Sequence, residues 1–298
     1  MKKGFLIGGG LVVTGLLLQA VTGPVRWESL AFPVNLIFLA VFIALLTAFY
    51  LLRRKVRLFE WMMHLDAAVP AMVYALGLTV LMGLTSQRED GGGLPWISQM
   101  LSFWPFVLSY VWMMTIVGLA TLNHLLRFKV REIPFLLNHL GLFLALVCGT
   151  LGAPDTQRLH MTTREGTTEW RATDETGRIH ELDVAVELHD FIMEEYPLQP
   201  GAKTRVPKRF ASEVTVYTKQ GDAIRTVIEV NKPLRIDGWK IYQYDYDEQM
   251  GTSSEISVLE LVRDPWQPFV LTGILMMIAG ALTLFFFRAP RPKKEDAV

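Results

Sequence analysis

The chain reads as a polytopic α-helical membrane protein: six transmembrane helices carrying an extracytoplasmic antiparallel all-β domain. Three observations predict this. Mean hydropathy is +0.30 and 51% of the 298 residues are hydrophobic, yet 19% are charged; an ordinary soluble domain carries about 25% charge, so neither a wholly soluble nor a wholly buried chain fits. The charge is segregated: 152–262 holds 13 Lys+Arg and 20 Asp+Glu, a net −7, and the remainder holds 16 and 9, a net +7. Finally, six apolar runs, 4–22, 31–52, 63–84, 102–125, 133–151 and 267–287, approach the roughly 20 residues that a helix needs to cross a bilayer.

The first run follows Lys2 and Lys3 and ends at Thr22-Gly23-Pro24-Val25-Arg26 with no A-x-A-like site, so it reads as an uncleaved helix. The second and third runs are joined by Arg53-Arg54-Lys55-Val56-Arg57, and Pro70 inside the third is expected to kink it. Arg127-Phe128-Lys129-Val130-Arg131 joins the fourth and fifth, and a basic tail from Arg288 to Lys294 follows the sixth. With six spans these clusters fall on one side, leaving only Arg26, Arg88 and Arg263 on the other outside the acidic segment. Short cytoplasmic loops attract Lys and Arg. The expectation is a bacterial-type plasma (inner) membrane protein with both termini cytoplasmic. Its parts are 1–57 (two helices), 58–151 (three helices), 152–262 (β domain outside), 263–288 (last helix) and 289–298 (cytoplasmic tail).

In 152–262, Leu182, Val184, Val186 and Leu188 alternate with Asp183, Ala185, Glu187 and His189, the period of a half-buried strand. Strands at 214–218 and 225–230 flank Lys219-Gln220-Gly221-Asp222, a hairpin signal, and two more are read at 239–244 and 256–261. Several short strands imply an antiparallel sandwich or open barrel. A G-x-S-x-G elbow, an H-E-x-x-H pair and a phosphate loop are all missing, and His160, His180 and His189 lack metal-ligand spacing. The domain therefore reads as a docking module. Its acidity disfavours nucleic acid. The single cysteine, Cys148, excludes an internal disulfide, a CxxC pair and a CxxCH haem-attachment motif.

Three histidines sit in or beside the apolar runs: His64, His124 and His139. His139 lies about 9–12 Å past Arg131-Glu132, and His64 about 9–10 Å past Arg57-Leu58, at helical rise. An ionisable group in a membrane is costly and marks a functional candidate, and neutral imidazole can bind haem iron axially. The competing readings are headgroup contact for His124, an interfacial or core position for His64, and helix–helix hydrogen bonding for His139. Gly141, Ala145 and Gly149 form a small-residue stripe open to close helix approach. Trp96, Trp104, Trp112 and Trp266 read as interface anchors. Met62, Met63, Met113 and Met114 read as apolar filler, although thioethers can ligate iron.

Leu188 to Tyr196, Arg209-Phe210-Ala211-Ser212-Glu213-Val214, Ile228-Glu229-Val230-Asn231-Lys232-Pro233-Leu234 and Gly238-Trp239-Lys240-Ile241-Tyr242-Gln243-Tyr244, in that order, resemble the ResB family of system II cytochrome c biogenesis. Asp264-Pro265-Trp266 and the Leu137-Asn138-His139-Leu140-Gly141 run extend the likeness to roughly 63–288. Two features depart from it: five helices precede the outer domain where the family commonly has three, and no tryptophan-rich WWD motif of a CcsA half is present. The resemblance implies a component that carries or presents haem b, with a separate CcsA-like WWD partner, to apocytochrome c at the outer face, a thiol-disulfide reductase being a further partner. It carries the family's intramembrane haem-binding histidine onto His139, ahead of His64 and His124, and marks Asn231, Pro233, Tyr242 and Gln243 as docking candidates. No acid, base or nucleophile constellation appears, so the ligation chemistry falls to the partner. The other readings are a scaffold without haem and a b-type electron-transfer subunit.

Overall fold

The structure is a computed structural model that describes residues 1–87, 96–198 and 206–286. Arg88 and the basic tail lie outside the described residues. The chain forms two units, Met1–Pro154 with Trp266–Val298, and Asp155–Pro265. The second starts three residues later than 152 because α6 (below) runs to Gly152 and a 3-10 turn follows it; it ends later than 262 because the last strand runs to Arg263.

The first unit contains α1 (Lys2–Thr22), α2 (Val34–Leu52), α3 (Arg57–Trp61), α4 (Leu65–Leu84), α5 (Trp104–Leu125), α6 (Ile133–Gly152) and α7 (Gln267–Phe286). All but α3 are long and apolar enough to cross a membrane, so the six expected spans are present to within three residues at each end. The short α3 was not foreseen: its single turn carries no apolar period that could reveal it. Helix α4 continues across Pro70.

Helix α5 is the hub. Half of its apolar span is buried, against 11–28% for the other five. Trp112 and Ile116 pack on Ala67 and Ala71 of α4, and Leu119 on Leu46 and Tyr50 of α2. Trp112 is thus a core residue, 7% exposed, and not an interface anchor; small alanines opposite make room for its ring. Helices α6 and α7 approach closely at Gly141 and Gly273, where a Cβ on either would meet the other's carbonyl oxygen. The small-residue stripe is therefore occupied by this chain's own α7 at Gly141 and Ala145, while Gly149 faces open space.

The second unit is one eight-stranded antiparallel sheet: β1 (Gln157–Arg164), β2 (Thr168–Thr173), β3 (Ile179–Glu195), β4 (Pro207–Tyr217), β5 (Ala223–Glu229), β6 (Leu234–Ile236), β7 (Trp239–Tyr246) and β8 (Ile256–Arg263). The order is β5-β4-β3-β2-β1-β8-β7-β6, and the sheet curls until β5 touches β7. This is the open barrel of the two expected architectures. The 214–218/225–230 hairpin forms as β4 and β5. Val184, Val186 and Leu188 of β3 point inward against Val214, Leu259 and Leu261. The core also holds a polar knot. Ser212 Oγ donates to Gln243 Oε1 (2.5 Å), Gln243 Nε2 donates to Ser257 Oγ (3.0 Å), and Thr163 Oγ1 donates to the Ser257 carbonyl (2.9 Å). Each buried polar group in it has a partner, which removes most of its desolvation cost.

The outer histidines differ from one another. His180 is exposed and its Nε2 pairs with Asp174 Oδ2 (2.8 Å); His189 Nε2 meets Thr215 Oγ1 (2.7 Å); His160 is half-buried against the Tyr244 ring. The Asp174 carboxylate also accepts from Thr176 Oγ1 (2.6 Å) and two backbone N–H groups. The Thr176 hydroxyl first, and then His180, hold its pKa well below the usual carboxylate range.

Candidate histidine site in the membrane unit

The turn between α5 and α6 builds the site. Lys129 and Arg131 keep it in water, a 3-10 turn spans Val130–Glu132, and Pro134 starts α6 where its missing N–H costs nothing. Glu132 caps α6, and its Oε2 accepts from His124 Nδ1 (3.1 Å), in the last turn of α5. Nearly two turns into α6, His139 Nδ1 lies 3.0 Å from the Phe135 carbonyl oxygen. A carbonyl can only accept, so Nδ1 carries a proton, and in the neutral ring Nε2 keeps its lone pair. A ligating imidazole is commonly prepared in this way, its other nitrogen fixed by an acceptor.

His64, His124 and His139 all line one cavity of ≈ 310 Å³, with Met63, Met72 and Met113 among its other walls. The structure thus brings together every histidine that the sequence singles out in the apolar segments. His64 enters as the N-cap of α4, with extended backbone and no side-chain capping bond. The ring of Phe135 separates the other two, its centroid 4.0 Å from that of His124 and 3.7 Å from that of His139. Among the described residues no three His, Cys, Asp or Glu converge to hold a metal ion, so the imidazoles are spread around the cavity. Imidazoles and thioethers, with no carboxylate cage, are donor types suited to haem iron. The volume sits at the small end of cofactor pockets, which run from about 300 to 1,000 Å³.

Glu132 and Phe135 are the members that sequence reasoning missed. The helical i−4 relation of Phe135 to His139 was available as a signal; the pairing of Glu132 across the α5–α6 turn was not. Of the docking candidates, Asn231 is exposed in the turn after β5, and Pro233 and Tyr242 are half-buried. Pro233 sits in the unpaired link before β6, as a residue without an N–H should. Gln243 is 2% exposed and its amide is consumed by Ser212 and Ser257, so its side chain does not face a partner. The alternation of β7 turns Trp239, Ile241 and Gln243 inward together.

A comparison with curated proteins finds no match. Among solved structures, the protein described as cytochrome c heme lyase CcmF is similar with 16% identity and a TM-score of 0.37, over 86% of this chain and 45% of that one; the chain spans less than half of that protein's length. The model of the ResB-like family matches residues 127–255, a range that includes Glu132, Phe135 and His139 and excludes His64 and His124. From the turn that precedes α6 to the residue before β8, the chain is similar to the ResB-like family, and it carries six helices long and apolar enough to cross a membrane.

Proposed function

We propose that this chain is a membrane component of system II cytochrome c maturation that holds haem b through His139 and, with a CcsA-like WWD partner, presents it to apocytochrome c outside. The observation that carries the reading is the His139 Nδ1 bond to the Phe135 carbonyl, which leaves Nε2 as the coordinating nitrogen on a ring lining the histidine cavity. The ring of Phe135 stands between the His139 and His124 rings, so His139 would hold the haem without His124, and any further holding group would be the partner's. The small cavity volume agrees, with this chain supplying one wall. Bound haem supplies the iron porphyrin that is to be attached; Glu132, Phe135 and the helix ends orient the imidazoles. In this reading both termini are cytoplasmic and the β unit is extracytoplasmic, following the Lys and Arg clusters at 53–57 and 127–131. The β unit docks apocytochrome or its reductase.

The test is to purify the full chain with its co-expressed WWD partner and compare the Soret absorbance of wild type and His139→Ala, alongside cytochrome c maturation in cells. Loss of both at unchanged protein level is the expected result. Full haem loading and full maturation in His139→Ala would overturn the reading. Failure of His64→Ala instead would move the ligand to α4.

A further inference from the structure

At the other end of the same helices lies a second, larger cavity of ≈ 500 Å³. Its body is apolar: Phe38 and Phe42 of α2, Val111 and Met114 of α5, Val147 of α6. From Val107 to Met114 the α5 wall descends about 10 Å at helical rise. Its mouth is polar and built. The segment after α1 is fastened to the start of α5: Trp104 Nε1 donates to Thr22 Oγ1 and the Gly23 carbonyl (both 3.0 Å), Trp27 Nε1 donates to the Leu101 carbonyl (3.1 Å), and Val25 N donates to the Ser102 carbonyl (2.9 Å). Arg26 lines this mouth. Among the described residues of the membrane unit it is the only Lys or Arg at this end, the others being Lys2, Lys3 and the clusters at 53–57 and 127–131. Its guanidinium has no hydrogen-bond or ion-pair partner among the described residues, and Glu28, two residues on, forms no ion pair with it.

We infer that this slot is a binding site for one acyl chain of an anionic phospholipid, with Phe38, Phe42, Val111, Met114 and Val147 against the chain and Arg26 on the headgroup phosphate. The chemistry selects this occupant. The hydroxyl of Thr150 on the α6 wall donates to the Leu146 carbonyl (2.8 Å), so it offers a polar ligand no free donor, and the rest of the slot body is apolar. An unpaired guanidinium beside two backbone-tethered indoles at the end of membrane-spanning helices suits an anionic headgroup. No histidine lines the slot, so it lacks the imidazole that makes the opposite end a haem site. Much of the mouth and one wall come from residues 22–42, which gives the two N-terminal helices a task that the segment matched by the family model cannot perform without them.

The test uses the full chain in proteoliposomes carrying trace phosphatidylglycerol or phosphatidylcholine with a photoactivatable diazirine in the acyl chain, the labelled residues being mapped by mass spectrometry. Labelling should concentrate on 38–42 and 107–114 and be several-fold stronger with phosphatidylglycerol. Arg26→Gln should erase the lipid preference, and Val111→Trp should remove the labelling by filling the slot. Val111 is 39% exposed, so the larger ring has room and helicity by circular dichroism should hold. Equal labelling by both lipids, spread over all exposed helix faces, would overturn the proposal. So would labelling indifferent to Val111→Trp, or labelling displaced by added haemin together with a Soret band that Val111→Trp abolishes, because the ligand would then be haem. Haem loading through His139 is read separately, so failure here leaves that result standing.

Discussion

The two cavities of the membrane unit share walls on α5 and α6 yet are opposite in chemistry. The histidine end has three imidazoles, each at a helix terminus or within two turns of one, and its acceptors Glu132 and the Phe135 carbonyl are local to the α5–α6 turn. The Arg26 end has an apolar slot and a single cation carried by a tethered loop. Coordination needs oriented lone pairs, which short helix-end contacts supply; apolar binding needs only shape and a charge at the rim. A pair of antiparallel helices can hold both because their ends are independent over more than three turns.

Replacing His139 should sharpen that contrast most. His139→Ala is expected to lower haem content of the copurified complex by at least about tenfold, a ligand mattering no less than the outer groups that tune one, and to leave acyl-probe labelling unchanged; added imidazole should restore part of the haem by filling the vacant position. Loss of both signals would mean the two ends are not separate. Next in size is Gly141→Leu, which forces α6 and α7 apart at the point where their backbones meet. Overpacking of this kind costs about 1–3 kcal/mol, read as a lower thermal midpoint in detergent and diminished signals at both cavities together.

Phe135→Ala tests the wedge. Under the proposed function, removing the ring should let His124 and His139 act on one haem, so the variant chain alone should show a low-spin haem spectrum that wild type is expected to show only when copurified with a partner. An unchanged dependence on the partner would remove Phe135 from the argument. Glu132→Gln should do less: the pair with His124 is partly exposed and contributes no more than about 1 kcal/mol, so haem loading through His139 should stay near wild type.

The smallest effect belongs outside both cavities. Asp174→Ala removes a carboxylate whose folded pKa is depressed. Such a group stabilises the fold above its unfolded pKa, about 3.9, and the contribution fades as pH falls toward the folded value. A slight drop in the unfolding midpoint of the β unit should appear at pH 7 and shrink below about pH 4. Neither haem content nor acyl labelling should move.

What the residues disclosed in advance follows from the range of the forces involved. Apolar length alone places all six spans, because bilayer thickness leaves little freedom. Strands β3, β4, β5, β7 and β8 were readable from their alternation, whereas β1 hides its period behind Thr163, a threonine that faces inward only because the Ser257 carbonyl accepts its hydroxyl. In β2 a single buried residue, Ala172, marks the inner face. His139 was legible as a costly group at depth, but its tautomer required the Phe135 carbonyl. The stripe at Gly141 was legible as a contact surface, though not that α7, more than a hundred residues downstream, would fill it. The inward direction of Gln243 follows from the parity of β7, which it shares with Trp239 and Ile241.

Strands β1 and β8 pair along their whole length, from Gln157 opposite Arg263 to Arg164 opposite Ile256. The polypeptide therefore goes into the sheet and comes out of it at neighbouring points. In the membrane unit Gly152 and the ring of Trp266 are likewise in contact. The β unit is an insertion into a helical hairpin, both of whose stumps already touch. Cutting it out and rejoining 154 to 266 with a few glycines should leave α6 and α7 paired, so a β unit of this kind can be gained, lost or exchanged in a single recombination step without re-engineering the helical unit.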